Sequence, residues 1–201
     1  MAINLANNNS LANITALPSG ISGGAMTLLA TQTASGSANL SFTSGIDDTY
    51  DSYVFKFIDI HPVTNAANFR FQASTNTGTS YGITATDTFF AAIHSEDNSQ
   101  ASLAYYGSLD IAQGTGFIDL GGDTGNGNDE CLAGQLTIYS PSSTTFVKHF
   151  ISRASVYNNT PMMVDAFVGG YFNTTTAIDA IQFKFDSGNI DSGVIKLYGV
   201  S

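Results

Sequence analysis

From Ala25 onward, short segments rich in Val, Ile, Phe, Tyr and Thr alternate with clusters of Gly, Ser, Asn and Asp. Residues of the first group favour the pleated surface of a β-sheet, and those of the second group favour turns. The strand candidates, in chain order, are AMTLLAT, SANLSFT, DSYVFKFIDI, NFRFQAS, DTFFAAIHS, GFIDLG, LAGQLTIYS, TTFVKHFISRASVYN, MMVDAFVGGYFN, AIDAIQFKF and GVIKLYGV. The pattern therefore predicts many short strands joined by turns.

Two of these segments alternate clearly between apolar and polar positions. Ile181, Phe183 and Phe185 share one face of their segment, with Gln182 and Lys184 on the other. In the run 53–60 the alternation gives one face with Tyr53, Phe55, Phe57 and Asp59, and an opposite face with Val54, Lys56, Ile58 and Ile60. Such alternation is typical of half-buried antiparallel strands.

A helical pattern is nearly absent from the chain. The stretch NSQASLAYYGSL, residues 98–109, is the one place where the sequence favours one or two helical turns, ending at Gly107. Because closely spaced strands are not separated by helices, a parallel α/β fold is not expected. The sequence predicts an all-β fold: an antiparallel β-sandwich, jelly-roll-like, with a short N-terminal arm.

The end of the chain has the clearest strand pattern. Asp186 to Asn189 form a predicted turn after the strand that ends at Phe185, and Ser192–Gly193 are predicted to make a second break. The final strand then has Ile195 and Leu197 on one face, and we expect it to pair inside the sandwich, because an unpaired edge invites aggregation.

The N-terminal segment differs from the rest of the chain. The first charged side chain is Asp47, and residues 1–24 have scattered apolar residues without a period of 2 or 3.6. We interpret residues 1–24 as an arm or linker and residues 25–201 as a single β-sandwich domain. The arm is either a disordered leader or a segment that orders against a partner chain, and the apolar residues available for docking are Ile3, Leu5, Leu11, Ile14 and Leu17.

Composition and charge exclude several functional classes. The 201 residues suit one domain, and only 11% of them are charged. The net charge of -10 would repel a phosphate backbone or an anionic membrane, so neither nucleic acid nor a membrane is an expected partner. With Cys131 as the only cysteine, neither an intrachain disulfide nor a thiolate metal cluster can form. No export signal or membrane-spanning run is apparent.

One acidic, glycine-rich loop is a weak candidate for calcium. The sequence DLGGDTGNGNDE, residues 119–130, supplies oxygen ligands from Asp119, Asp123, Asn126, Asn128, Asp129 and Glu130. It lacks the Asp-x-Asp-x-Asp-Gly ladder of a calcium loop, so an ordinary exposed loop is the favoured interpretation. No cofactor is expected.

The residues do not point to an enzyme. The three histidines, His61, His94 and His149, lie on different segments, and only His94 shares a strand face with an acid, Glu96. That pair could serve acid–base chemistry or bind a metal, but surface packing is the favoured interpretation. A Gly-x-Ser-x-Gly elbow is missing from the sequence.

Aromatic residues beside amides raise the question of carbohydrate binding. Tyr105–Tyr106, and Tyr157 with Asn158–Asn159, could form a platform for a sugar. The chain has no Trp, the side chain on which sugars stack most readily, so core packing is favoured for most of the aromatic rings.

Three stretches give the chain a resemblance to a known class. They are LLATQTASGSANLSFTSGIDDTYDSYVFKFIDIHPVT, FVKHFI, and GGYFNTTTAIDAIQFKFDSGNIDSGVIKLYGV. Over residues 26–200 the chain resembles a module of virion structural proteins from tailed, marine-type bacteriophages. The resemblance implies a non-enzymatic protein of the virion surface, made in the host bacterial cytoplasm, with no catalytic residues to carry over.

The short N-terminal segment favours one role within that class. A tail fibre usually has an attachment domain and a shaft, whereas a capsid decoration or head-fibre protein needs a β-rich body and an arm. We therefore expect a homotrimer that binds the major capsid protein through its arm. The alternative is a tail fibre or spike tip that contacts tail or fibre proteins and binds a host receptor or surface glycan.

Overall fold

The computed structural model describes residues 26–201, which form twelve β-strands. The larger sheet has eight strands, in the spatial order β1 (Thr27–Ser37), β12 (Ile190–Val200), β3 (Ser52–Pro62), β8 (Leu132–Tyr139), β9 (Lys148–Tyr157), β10 (Met162–Phe172), β5 (Ala85–Ser95) and β6 (Ala101–Tyr105). The smaller sheet has four, in the order β2 (Leu40–Phe42), β11 (Ala180–Phe185), β4 (Ala67–Ser74) and β7 (Ile118–Thr124). The predicted arm, residues 1–24, lies outside the described residues.

All neighbouring strands run antiparallel, and the two sheets pack against each other. Residues 26–201 contain no helix. The predicted all-β antiparallel sandwich is therefore confirmed, and the eleven segments chosen from the sequence each overlap a strand.

The strand order has the pattern of a jelly roll. In the larger sheet β1, β12, β3 and β8 are consecutive neighbours. In the smaller sheet the order is β2, β11, β4 and β7, so that in both sheets the first and last of the four strands in chain order are neighbours. The chain therefore changes sheet at every step from β1 to β5, then at both ends of β7 and at both ends of β11. Eight strands that alternate between two sheets in this way form two Greek keys. The hairpins β5–β6 and β9–β10 are additions that widen one sheet only.

This asymmetry makes the larger sheet overhang the smaller one. β7, the edge strand of the smaller sheet, packs on β9 and β10. The next strand outward, β5, is covered on its inner face by the β6–β7 connection. Residues 106–117 of that connection bond to β5 through Tyr106 N to Phe89 O at 2.9 Å and through Ala85 N to Gly114 O at 2.8 Å.

Phe183 occupies the centre of the core between the sheets. Its ring lies 5.2 to 6.3 Å, centroid to centroid, from five other phenylalanine rings: Phe42, Phe55, Phe57, Phe69 and Phe71. The predicted common face of Ile181, Phe183 and Phe185 is confirmed, since all three are buried. Aromatic rings in these mostly edge-to-face arrangements stabilise the sandwich beyond the area that they bury.

A bulge in β3 makes one face prediction wrong. The alternation placed Ile60 opposite Phe57, but both side chains are buried, whereas Ile58 is exposed. The pairing with β8 shifts register between Phe57 and Ile60, and Asp59 has a φ of 52°. The extra residue returns Ile60 to the core face, which simple alternation cannot anticipate.

The predicted second break at Ser192–Gly193 is also a bulge. β12 runs without interruption from Ile190 to Val200, with a register shift against β3 between Ser192 and Val194. Gly193 has a φ of 123°, and a Cβ there would lie 2.6 Å from the Asp59 carbonyl oxygen. The two bulges therefore face each other, and glycine permits the close approach. As expected, the last strand is paired inside the sheet, between β1 and β3.

The helical prediction for residues 98–109 is wrong. Residues 101–105 form β6, the edge strand of the larger sheet, and residues 106–109 enter the connection to β7. The pairing aligns Tyr105 with Phe90 and Leu103 with Ala92. Ala and Leu are good helix formers, but helix propensity is a weak preference, and the hydrogen bonds offered by β5 override it.

Candidate functional site

The overhang of the larger sheet encloses a cleft of about 410 Å³, which we call the overhang cleft. Its apolar floor consists of Phe89, Ala91 and Ile93 on β5, with Met162 and Val164 on β10. Its polar lining consists of Gln100, Ser108, Asp123, Asn158, Asn159 and Thr160. A concave site with an apolar floor and a few polar groups has the general form of a small-molecule site.

The β9–β10 turn, which forms one side of the cleft, is held by hydrogen bonds. The Asn158 Oδ1 accepts bonds from Thr160 N at 3.1 Å and from Thr160 Oγ1 at 2.8 Å. Asn158 N donates to Met162 O at 3.1 Å, and Asn159 N donates to Asp123 O at 2.8 Å. The last bond joins the turn to the end of β7, so the amide side chains are placed on a fixed backbone.

Tyr106 provides an aromatic surface in the overhang cleft. Its ring is half-buried and lies edge-on to Phe89, with centroids 6.2 Å apart and planes at 89°. The backbone bond from Tyr106 N to Phe89 O fixes the start of the connection above β5. The ring is thus oriented by β5 although it lies outside any strand.

Three of the five residues considered for a sugar platform converge here, namely Tyr106, Asn158 and Asn159. Tyr105 and Tyr157 do not line the cleft. The side chain of Tyr105 is exposed and its hydroxyl donates to the Asp110 carboxylate. Gln100 and Ser108 were missed, because nothing in the sequence relates these residues to a turn about fifty positions later.

Tyr157 instead lines a second, shallower pocket of about 350 Å³ with the acid–base candidates His94 and Glu96. A hydrogen bond to Glu96 raises the pKa of Tyr157 above its usual value.

The other two histidines, His61 and His149, lie outside this pocket. His61 contacts Gly127 O at 3.1 Å and Asp191 Oδ2 at 3.3 Å, and the His149 ring lies 6.0 Å from that of Tyr171. The three histidines are not brought together.

The residues of the calcium candidate loop are only partly brought together. Asn128, Asp129 and Glu130 line one pocket, but the other three lie elsewhere. Asp119 is buried on β7, where its Oδ1 accepts a bond from Arg70 Nε at 2.7 Å. Glu130 folds back onto its own loop and accepts a bond from Gly127 N at 2.6 Å. Asn126 donates to the Val63 carbonyl at 3.0 Å. Within residues 26–201, no three His, Cys, Asp or Glu side chains are arranged to hold a metal ion.

Two carboxyl groups are buried, Asp87 beneath the β6–β7 connection and Asp119 on β7. Asp87 on β5 is 4% exposed, and its Oδ1 accepts a bond from Ile111 N at 3.0 Å. Its Oδ2 is buried with no hydrogen-bond partner in the described structure. Burial, with added repulsion from Asp110 and Asp119, raises the pKa of Asp87 to about 6. Burial also raises the pKa of Asp119 to about 6, despite the ion pair with Arg70.

These raised pKa values predict that stability increases when the pH falls from 7 to 5. The folded chain holds protons on Asp87 and Asp119 up to about pH 6, whereas the unfolded chain loses them near 3.8. The destabilisation is absent below pH 3.8 and complete above pH 6. We expect Asp87→Asn to reduce the gain in unfolding free energy between pH 7 and pH 5 by about 1 kcal/mol.

Urea unfolding at the two pH values measures this effect. Asp123→Asn, which changes an exposed carboxylate instead, is the matched control and should keep the pH dependence of the unaltered chain. An Asp87→Asn variant whose stability changes with pH as steeply as the control would show that Asp87 is ionised at no cost in the folded state.

The outer face of the larger sheet, opposite the core, is unusually apolar over its added strands. Phe90 on β5 and Phe167 on β10 stack with centroids 5.0 Å apart, and the Arg153 guanidinium lies 4.8 Å from the Phe167 ring. Around them, Leu103 is 70% exposed and Ile151 is 57% exposed. We call this surface the outer apolar patch, defined by Phe90, Leu103, Tyr105, Ile151, Met163 and Phe167.

The patch continues to an edge of the sheet. Among residues 26–201, β6 is the last strand of the larger sheet, and its side chains Leu103 and Tyr105 belong to the patch. An edge strand presents backbone N–H and C=O groups that another chain can bind. An apolar surface next to such an edge is typical of a protein–protein contact.

Comparison with known proteins gives no relative from which to assign a function. No family model matches the chain, and no curated protein or solved structure matches it significantly. The described part of the chain has no helix with the length and hydrophobicity needed to span a membrane. A function for this chain therefore has to be argued from its own residues.

Proposed function

We propose that the chain is a non-enzymatic structural protein of a tailed bacteriophage virion. It decorates the outside of the capsid as a homotrimer, and residues 1–24 bind the major capsid protein. The favoured location is the exterior of the capsid rather than the tail. The proposal combines the sequence resemblance over residues 26–200 with the surface of the jelly-roll body.

The observation that carries the proposal is the outer apolar patch beside the β6 edge, which no other strand of residues 26–201 pairs. Large apolar side chains such as Leu103 and Ile151 are exposed to water in a single chain. A neighbouring copy or the capsid surface would bury them and gain about 25 cal/mol for each Å² removed from water. A protein that works as an assembled layer has a use for such a surface.

The charge of the chain fits a position on the outside of a particle. With a net charge of -10 and few basic residues, the protein has little attraction for packaged nucleic acid. Three arms on one trimer would also bind the shell far more tightly than one arm, because the second and third contacts become intramolecular. Avidity is the proposed mechanism of attachment.

Deleting residues 1–24 tests the attachment. We expect the full chain to sediment with capsids that lack it, at a saturable ratio, and the deleted chain to remain in the supernatant. The deleted chain should still melt cooperatively and have the mass of three chains, because the core and the outer apolar patch lie in residues 26–201.

A full-length variant separates the role of apolar residues from that of length. In this control Ile3, Leu5, Leu11, Ile14 and Leu17 are replaced by serine, and it should fail to sediment as the deletion does. Incorporation of the deleted chain at the level of the full chain would contradict the proposal.

A second candidate function is a tail fibre or spike tip that binds a host glycan. The overhang cleft is the observation that favours it, because amides and an aromatic ring converge there. Labelled protein that coats host cells, competes with phage adsorption and lies on the tail would support this candidate over capsid decoration.

A further inference from the structure

We propose that the overhang cleft binds a neutral saccharide. This binding activity goes beyond capsid decoration and deepens the second candidate function by naming the class of sugar. It does not depend on where the protein is located, since the cleft faces inward from β5 and β10 whereas the outer apolar patch lies on the other face of the same strands. The argument rests on the size of the cleft, its unused polar groups, its apolar surfaces and its charge.

The dimensions suit a ligand of one or two sugar rings. The volume of about 410 Å³ falls in the range of roughly 300 to 1,000 Å³ that is usual for small-molecule sites. The cleft exists because the larger sheet continues past β7, so that the β6–β7 connection, rather than a strand, covers β5. The opening is thus a consequence of the topology and does not require a chain movement.

The lining carries polar groups that the protein itself does not use. Among the described residues, the side chains of Gln100, Ser108, Asp123 and Asn159 form no hydrogen bond with another residue. The Asn158 Oδ1 already accepts two hydrogen bonds from Thr160, whereas the Asn158 Nδ2 donates none to another described residue and can donate to a ligand. Amides, a hydroxyl and a carboxylate together offer the mixed donors and acceptors that vicinal sugar hydroxyls require.

Apolar contacts complement these polar groups. Tyr106 offers a half-buried ring, and Ile93 and Met162 offer partly buried aliphatic surface within the same cleft. A sugar ring has C–H faces as well as hydroxyls, so it can cover these side chains while its edges bond to the amides. A purely polar ligand would leave this surface without a contact.

Charge selects against acidic ligands. Among the described residues, no lysine, arginine or histidine lines the cleft, and Asp123 contributes a carboxylate. The whole chain carries a net charge of -10. A phosphate, a uronate or a sialic acid would therefore be repelled, whereas an uncharged sugar would not.

The polar lining is also preorganised. The four hydrogen bonds that hold Asn158, Asn159 and Thr160 fix the turn before any ligand arrives. A ligand that binds a fixed turn loses less free energy to ordering of the protein.

Saturation-transfer NMR with the full chain tests the proposal without any capsid present. The probes are glucose, galactose, mannose, N-acetylglucosamine and their disaccharides, with glucuronate and galacturonate as charged counterparts. We expect at least one neutral sugar to bind with a dissociation constant in the millimolar range or below, and the uronates to bind at least tenfold more weakly.

Variants locate the binding. Asn159→Ala and, separately, Gln100→Ala should each weaken binding about tenfold, while the control Asn128→Ala, an exposed amide outside the cleft, should leave it unchanged. Thermal melting shows whether each variant is folded. If one of the two cleft variants does not fold, the other still tests the proposal. Absence of binding to every probe, equal binding of the uronates, or full binding by both cleft variants would overturn the proposal.

Discussion

A chain that ends at Ser192 is expected not to fold. The deletion removes Ile195 and Leu197, which are fully buried side chains of the core. It also removes most of the strand that joins β1 to β3, since β12 (Ile190–Val200) lies between them. β1 would then lose its neighbour in the sheet, and β3 would become an unprotected edge. The losses exceed the net stability of about 5 to 15 kcal/mol that is typical of a protein domain.

Circular dichroism and thermal melting of the purified product measure this result. The matched control removes only Ser201, which is exposed and follows the last strand, and it should melt as the full chain does. A soluble product ending at Ser192 that melts cooperatively would contradict the assigned role of β12.

Replacement of Phe183 by alanine is expected to destabilise the protein by about 4 kcal/mol, because it leaves a cavity at the centre of the core. The ring contacts five phenylalanines from both sheets, so no single neighbour can move to fill the space without loosening the others. Since interiors are closely packed, the surrounding rings relax only in part.

Denaturant unfolding compares this variant with Phe146→Ala, which removes the same ring from a site that is 72% exposed. The free energy of unfolding of Phe146→Ala should stay within about 0.5 kcal/mol of that of the unaltered chain. Equal destabilisation by the two replacements would mean that Phe183 does not occupy the centre of the core.

Most of the strands could be predicted from the sequence, because burial on one face imposes a period of two. Ile181, Phe183 and Phe185 illustrate this, since their common face is a property of adjacent residues. Bulges are different. The Asp59 bulge depends on Gly193 in another strand, where a glycine leaves room for the Asp59 carbonyl. A pattern read along one strand contains no information about that contact.

β6 shows why an edge strand is harder to predict than a central one. Leu103 and Tyr105 remain exposed, so no buried face imposes alternation on the segment. Its local preference for helix is weak and is overridden by hydrogen bonds to β5. The outer apolar patch, to which both side chains belong, could not be inferred for the same reason.

The candidate sites show the limit of local reasoning about chemistry. Asn158 and Asn159 were noted beside Tyr157, but the structure places them opposite Tyr106 instead. The pairing of β10 with β5 brings these residues together across about fifty positions. Conversely, Asp119 is close in sequence to the other acids of residues 119–130 but bonds to Arg70 on β4. Proximity in the chain was therefore a poor guide to proximity in the site.

An image of the virion tests the central claim most directly. Cryo-electron microscopy of particles, with an antibody fragment bound to this protein, would locate it at a resolution sufficient to separate capsid from tail. Capsid decoration predicts trimeric density on the outer shell at local threefold positions, and its loss from particles made with the chain that lacks residues 1–24. Density confined to the tail, or no density on the virion, would contradict the account.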